Sequence, residues 1–174
     1  MTQPALSPIP KSTPIDAAPA PLAAPHLLRF ASHDGAEIAY RHWPAASGHR
    51  RGSIVLLHRG HEHSGRVSHL PGELGLPDFD FFAWDARGHG LSPRAPGQSP
   101  GFATSVRDVQ AFVDHLGAQH GVAVEDIHVV AQSVGAVLAA TWVHDYAPRI
   151  RGMSLASQPS ASSSTCRSPS PASA

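Results

Sequence analysis

Cysteine is nearly absent from this chain: Cys166 is the only one in 174 residues, which excludes an intrachain disulfide and any cysteine-framed zinc site. An excess of one charge is absent too. Thirteen Lys and Arg balance thirteen Asp and Glu, so no bulk field favours nucleic acid or an anionic membrane surface. Lysine is scarce, Lys11 being the only one among those cations, a skew that matches the codon bias of a GC-rich gene. No apolar run approaches the ~20 residues of a membrane span. The proline-broken N-terminus also lacks the roughly 7–15-residue apolar core of a secretory signal. The expectation is a soluble cytoplasmic protein of one domain.

Composition divides the chain into three. Residues 1–25 hold seven prolines among Ala and Ser and read as a flexible leader, unable to sustain helix or sheet. Residues 26–156 contain all three Trp, both Tyr and all six Phe, and form the folding part. Residues 157–174 carry eight Ser and no large apolar residue, so they cannot bury surface and are expected to be disordered. Their abrupt onset after a good strand sequence resembles out-of-frame reading of GC-rich DNA, and a frameshifted or truncated product is expected, with a natural disordered tail as the alternative.

Within 26–156 the pattern alternates between strand and helix. Leu27–Ser32 and Glu37–Trp43 flank the turn-like His33-Asp34-Gly35 and predict an antiparallel hairpin. Ser53–His58, Asp80–Asp85 and Asp126–Ala131 are apolar runs of the kind that lie buried in parallel sheets. Ile150–Ala156 starts one more strand. Val106, Val109, Val113 and Leu116 form one helical stripe, with Ser105 and Asp108 as a capping-box-like start and Gly117 as a stop. A second helix is expected over Val134–Tyr146. The order predicts an α/β protein with a mostly parallel sheet, an antiparallel N-terminal hairpin and helices on both faces.

The sharpest chemical signal is Val129-Val130-Ala131-Gln132-Ser133-Val134-Gly135. It sets a serine between a buried strand and a helix, with small residues two before and two after, close to the G-x-S-x-G nucleophile elbow. A turn that sharp brings those flanking residues almost into contact. It would lift the Ser133 hydroxyl to a helix N-terminus, where the dipole favours a developing oxyanion. A serine serving only as a helix N-cap would also satisfy this stretch alone.

Two further motifs bear on the choice. His58-Arg59-Gly60-His61-Glu62-His63-Ser64-Gly65-Arg66 follows the third strand, and Asp85-Ala86-Arg87-Gly88-His89-Gly90-Leu91-Ser92 follows the fourth. Together with the serine pentapeptide they resemble the α/β-hydrolase superfamily, in its monoacylglycerol lipase and lysophospholipase (serine aminopeptidase S33-type) branch. The run from 27 to 156 also looks like the hydrolase half of bacterial hydrolase/methyltransferase fusions. Arg59 and His61 depart from the glycines usual in that family. The resemblance implies a serine carboxylic-ester hydrolase with Ser133 as nucleophile and the backbone amides of Gly60 and Val134 as the oxyanion hole. Asp85, Arg87 and His89 are read as scaffold. The implied substrate is a small ester or lipid-like molecule, with no cofactor.

Histidine is abundant, thirteen in all, and His58, His61, His63 and His69 cluster. Their spacing fits no zinc-hydrolase motif, so no metal is expected. A hydrolase of this fold takes its acid and then its histidine from positions after the nucleophile. Beyond Ser133 the sequence offers only His144 and Asp145, at the far end of the helix that Ser133 opens, roughly 16 Å away at ~1.5 Å per residue. His58 or His61 approaches from the oxyanion loop, but nothing in the sequence orients either. The triad acid and histidine are therefore expected to be missing, leaving an incomplete domain over 26–156. The rival expectations are a catalytically inactive binding or regulatory fragment that pairs with a partner through an exposed sheet edge, and the same fold with peptidase- or peroxidase-like chemistry. The exposed edge also predicts self-association of the chain.

Overall fold

The computed structural model describes residues 24–93 and 101–156. The predicted leader, apart from its last two residues, and the Ser/Pro-rich tail lie outside the described residues, as does the 94–100 segment. The strands are β1 (His26–Ala31), β2 (Glu37–Trp43), β3 (Gly52–Leu57), β4 (Phe79–Trp84), β5 (Ile127–Gln132) and β6 (Gly152–Ala156). The helices are α1 (Leu70–Leu74), α2 (Phe102–His120) and α3 (Val134–Tyr146), with 3₁₀ turns at Ser64–Val67 and Val124–Asp126.

The strands make one sheet in the order β1-β2-β4-β3-β5-β6. The β1–β2 and β2–β4 pairs are antiparallel and the other three parallel. The apolar runs explain this layout. All six residues of β3 are buried, as a central strand covered on both faces requires. On one face Val55, Leu57, Phe82, Trp84 and Val129 pack against Val109, Phe112 and Leu116 of α2 and Leu138 and Trp142 of α3. On the other, Ile54, Leu56, Phe81 and Ala83 pack with Trp43, Val67 and Leu70. Helices thus lie on both faces, as expected, although the short α1 is legible in no periodic pattern.

Two helix boundaries differ from expectation. α2 begins at Phe102, after Gly101 with φ 142°, so Ser105 and Asp108 form no capping box. Asp108 is instead fully buried inside the helix, held by Ser32 Oγ at 2.5 Å and by the Arg87 guanidinium at 2.5 and 2.6 Å. Gly117 does not stop the helix either. The chain leaves it at Gly121, in the left-handed region at φ 60°, where the Gly121 and Val122 N–H groups close onto the Gly117 and Leu116 carbonyls. β5 is less enclosed than an all-apolar run suggests, because His128, Val130 and Gln132 on its second face are only half-buried.

Candidate active site

The parallel strands β3, β4 and β5 send their C-terminal loops to one end of the sheet, where ligand sites of open α/β folds form. Ser133 joins β5 to α3 with φ 53° and ψ −120°, a conformation that L-residues rarely adopt. Its N–H donates to the Ala156 carbonyl at 2.8 Å, tying the turn to β6, while its carbonyl accepts the first bonds of α3, from Ala136 at 2.9 Å and Val137 at 3.2 Å. No side-chain bond of Ser133 caps the helix, so the hydroxyl is not spent as an N-cap, and the residue is exposed. Val134, the first helical residue, has no intrahelical acceptor for its N–H.

Gly135 shows why the turn needs a small residue on its far side. A Cβ there would lie 2.7 Å from the Leu57 carbonyl oxygen and 2.6 Å from that of His58, where no carbon fits. That close approach seats α3 against the end of β3. Gly60, in the loop after β3, lies beside Val134: a Cβ on it would stand 3.5 Å from Val134 Cγ1. Gly60, Val134 and Ser133 are thus brought together at the mouth of the turn. Arg59 turns its guanidinium to Glu62 at 2.8 Å, and His61 sits at φ 60°.

The two remaining motifs dock on one another. Asp85, buried at the end of β4, accepts the Ser64 N–H at 2.6 Å through one carboxylate oxygen and the Leu91 N–H at 2.7 Å through the other. Ser92 Oγ donates to the Asp85 carbonyl at 2.5 Å and accepts the Ala39 N–H at 3.0 Å, pinning the loop to β2. Gly90 must be glycine, since φ is 51° and a Cβ would fall 2.3 Å from Asp85 Oδ2. Arg87 is buried between Asp108 and Asp34. The side-chain bonding from Arg87 drives the Asp34 carboxyl far below the usual range against the opposing effect of burial, and the two carboxylates raise the Arg87 guanidinium.

His58 is locked in the same scaffold. Its Nδ1 lies 2.7 Å from the Arg59 carbonyl, which only accepts, so Nδ1 carries the proton and Nε2 accepts the Ala86 N–H at 3.0 Å. Burial lowers its pKa, partly offset by that carbonyl. Both ring nitrogens are occupied, and His58 has no free nitrogen to offer Ser133. His63 accepts the Gly65 N–H through Nδ1 and caps the 3₁₀ turn. His144 and Asp145 bond each other at 2.9 Å in the exposed last turn of α3, at the far end of the helix from Ser133. Among the described residues, no histidine–carboxylate pair stands at the Ser133 turn. Sequence reasoning missed the Asp34–Arg87–Asp108 network, whose members lie on a hairpin turn, a loop and a helix with no common spacing.

The family model for serine aminopeptidase S33 hydrolases matches residues 48–165, across all three motifs. The chain belongs to this family. Its relatives include YnbC of Escherichia coli K12, 56% identical over 128 residues that make up 74% of this chain and 22% of YnbC. The monoacylglycerol lipase of Mycolicibacterium smegmatis is 33% identical over 97 residues, 56% of this chain and 32% of the lipase. This S33-family chain therefore spans about a fifth to a third of the length of those curated relatives. Among solved structures, a thermostable carboxyl esterase of Bacillus coagulans superposes with TM-score 0.63 at 21% identity, over 76% of this chain and 44% of the esterase. A haloalkane dehalogenase of Agrobacterium tumefaciens does so at 0.61 and 20%, over 76% and 40%. At these identities the structures establish the α/β-hydrolase fold, which different chemistries share. Among the described residues no helix is long and apolar enough to cross a membrane.

Proposed function

We propose that this chain carries the nucleophile portion of a serine ester hydrolase that acts on small or lipid-like carboxylic esters, in the manner of monoacylglycerol lipases and lysophospholipases. The carrying observation is Ser133, exposed at φ 53° between β5 and α3 with Gly60 beside Val134. Ser133 Oγ would attack the ester carbonyl, and the N–H groups of Gly60 and Val134 would hold the oxyanion, reinforced by the α3 dipole. Attack requires a base to take the hydroxyl proton. After Ser133 the sequence offers only His144 and Asp145, which pair with each other away from it. The chain by itself is therefore proposed to hydrolyse essentially nothing.

Fluorophosphonate labelling with p-nitrophenyl ester turnover tests both halves of this reading. The 174-residue chain should neither label nor turn over. A version continued in frame with the C-terminal portion of the Escherichia coli relative should do both, and lose both on Ser133→Ala. Stoichiometric labelling of the short chain at Ser133 would overturn the missing-base half. An active extended version that tolerates Ser133→Ala would overturn the nucleophile half.

A further inference from the structure

Beside the last turn of α2, two imidazoles contact the Tyr40 phenol and two more extend the cluster from them. His26 comes from β1, Tyr40 and His42 from β2, Asp80 and Phe82 from β4, His115 and His120 from α2, and Arg50 from the loop before β3. Tyr40 Oη lies 2.9 Å from His115 Nε2 and 2.8 Å from His120 Nε2. The His42 ring stacks on Phe82 at 4.4 Å and meets His120 edge-on at 4.6 Å, and its Nε2 stands 3.4 Å from Asp80. Arg50 donates to the His120 and Gly121 carbonyls at 2.7 and 2.6 Å, holding the last turn of α2.

Hydrogen counting limits the states of this group. A phenol has one hydrogen, so of the two imidazoles touching Tyr40 one accepts it and is neutral, and the other donates to the oxygen. When both rings are protonated, both Nε2 atoms become donors and the phenol hydrogen loses its acceptor. Two cations then stand with ring centroids 6.1 Å apart, beside the fixed Arg50 guanidinium. Among the described residues Asp80 is the one carboxylate facing the cluster, and it is already engaged by the Ala45 N–H at 2.7 Å and by Arg50 at 3.4 Å.

We propose that Tyr40, His115 and His120 form a pH-sensitive latch that fastens the last turn of α2 to the β1–β2 hairpin, closed while an imidazole is neutral and released when both are protonated. The ionisation tendencies agree in sign. Burial lowers His115, and burial with the neighbouring His42 and His115 lowers His120 to about 4, while burial raises Tyr40 to about 12. Groups held below their free value near 6.5 contribute fully above that pH, and the contribution is lost as pH falls toward 4. The N-terminal half of α2 stays anchored through Asp108 and Arg87, so the release is local.

Hydrogen exchange of the full 174-residue chain between pH 7 and 4.5, corrected for intrinsic rates, tests this. Protection over residues 113–122 should fall about tenfold or more, as one to two linked protons imply, with β3 and β5 unchanged. His115→Gln with His120→Gln, which stays neutral, should remove the pH dependence, and His120→Gln alone should weaken it if the pair folds poorly. Both rings should titrate below 6.5 by NMR. A flat wild-type profile, the same fall in the glutamine variants, parallel loss in β3 and β5, or ordinary titration of both rings would each overturn the latch.

Discussion

Ser133 holds a backbone conformation that costs an L-residue on the order of 1–3 kcal/mol, and it persists because β5, α3 and the Ala156 carbonyl fix its neighbours. Glycine has no such penalty. Ser133→Gly should therefore raise the thermal midpoint relative to Ser133→Ala, by about 1 kcal/mol of stability, although both remove the hydroxyl. Equal midpoints for the two variants would show the turn to be unstrained. Gly135 behaves oppositely. Gly135→Ala drives a carbon into two carbonyl oxygens at 2.6 and 2.7 Å, and should destabilise the fold by about 1–3 kcal/mol in denaturant titration. Arg87 is the third sensitive position. It is 1% exposed between two carboxylates, and Arg87→Ala leaves Asp108 charged and buried, a loss of about 3–5 kcal/mol. Adding Asp108→Asn to that variant should recover part of the loss.

At the scale of elements, α2 is fastened at three places: Asp108 in its N-terminal half, the Gly121 turn at its end, and Tyr40 beside its last residues. Gly121 is in the left-handed region, where a Cβ costs roughly 1–2 kcal/mol, so Gly121→Ala should lower stability by about that amount and shorten the protected helix in exchange. Acid acts on the same element through a second group. Asp34 is held far below the ordinary carboxylate range by Arg87, so its contribution is present above about pH 4 and is lost only as pH falls below that. Loss of the α2 turn near neutral to mildly acidic pH and loss of the Arg87 network in stronger acid should thus appear as two separate events in an acid titration followed by exchange and by circular dichroism.

For the whole molecule, the decisive feature is β6. Four of its five residues are exposed, with Met153 and Leu155 at 38% and 43%, and among the described residues it pairs only with β5. An edge strand with no charge or proline between 152 and 156 invites pairing with another chain. The 174-residue chain should associate with rising concentration in sedimentation velocity, and Leu155→Lys should shift it toward monomer. A wild-type monomer that stays unassociated at high concentration would contradict this.

How much of this was legible in the sequence follows from the range of each interaction. Strand runs, the α3 boundaries and the serine turn were readable because each is encoded by contiguous residues: six buried positions in β3, or Ala131 and Gly135 flanking Ser133. The motifs after β3 and β4 were readable as local strings, and their roles as expectations from the family they resemble. Tertiary structure alone decided that Asp108 is a buried ion-pair partner rather than part of a cap, because that role depends on Arg87 and Ser32, 21 and 76 residues away. It alone decided that His58 is a structural bond-maker, since its partner Ala86 lies 28 residues on. It also decided that five scattered side chains, Tyr40, His42, Asp80, His115 and His120, share one desolvated cluster. Local pattern fixes backbone conformation through near-neighbour sterics and burial, whereas the charge state and bonding of a buried polar group depend on whichever distant partner the packing brings to it.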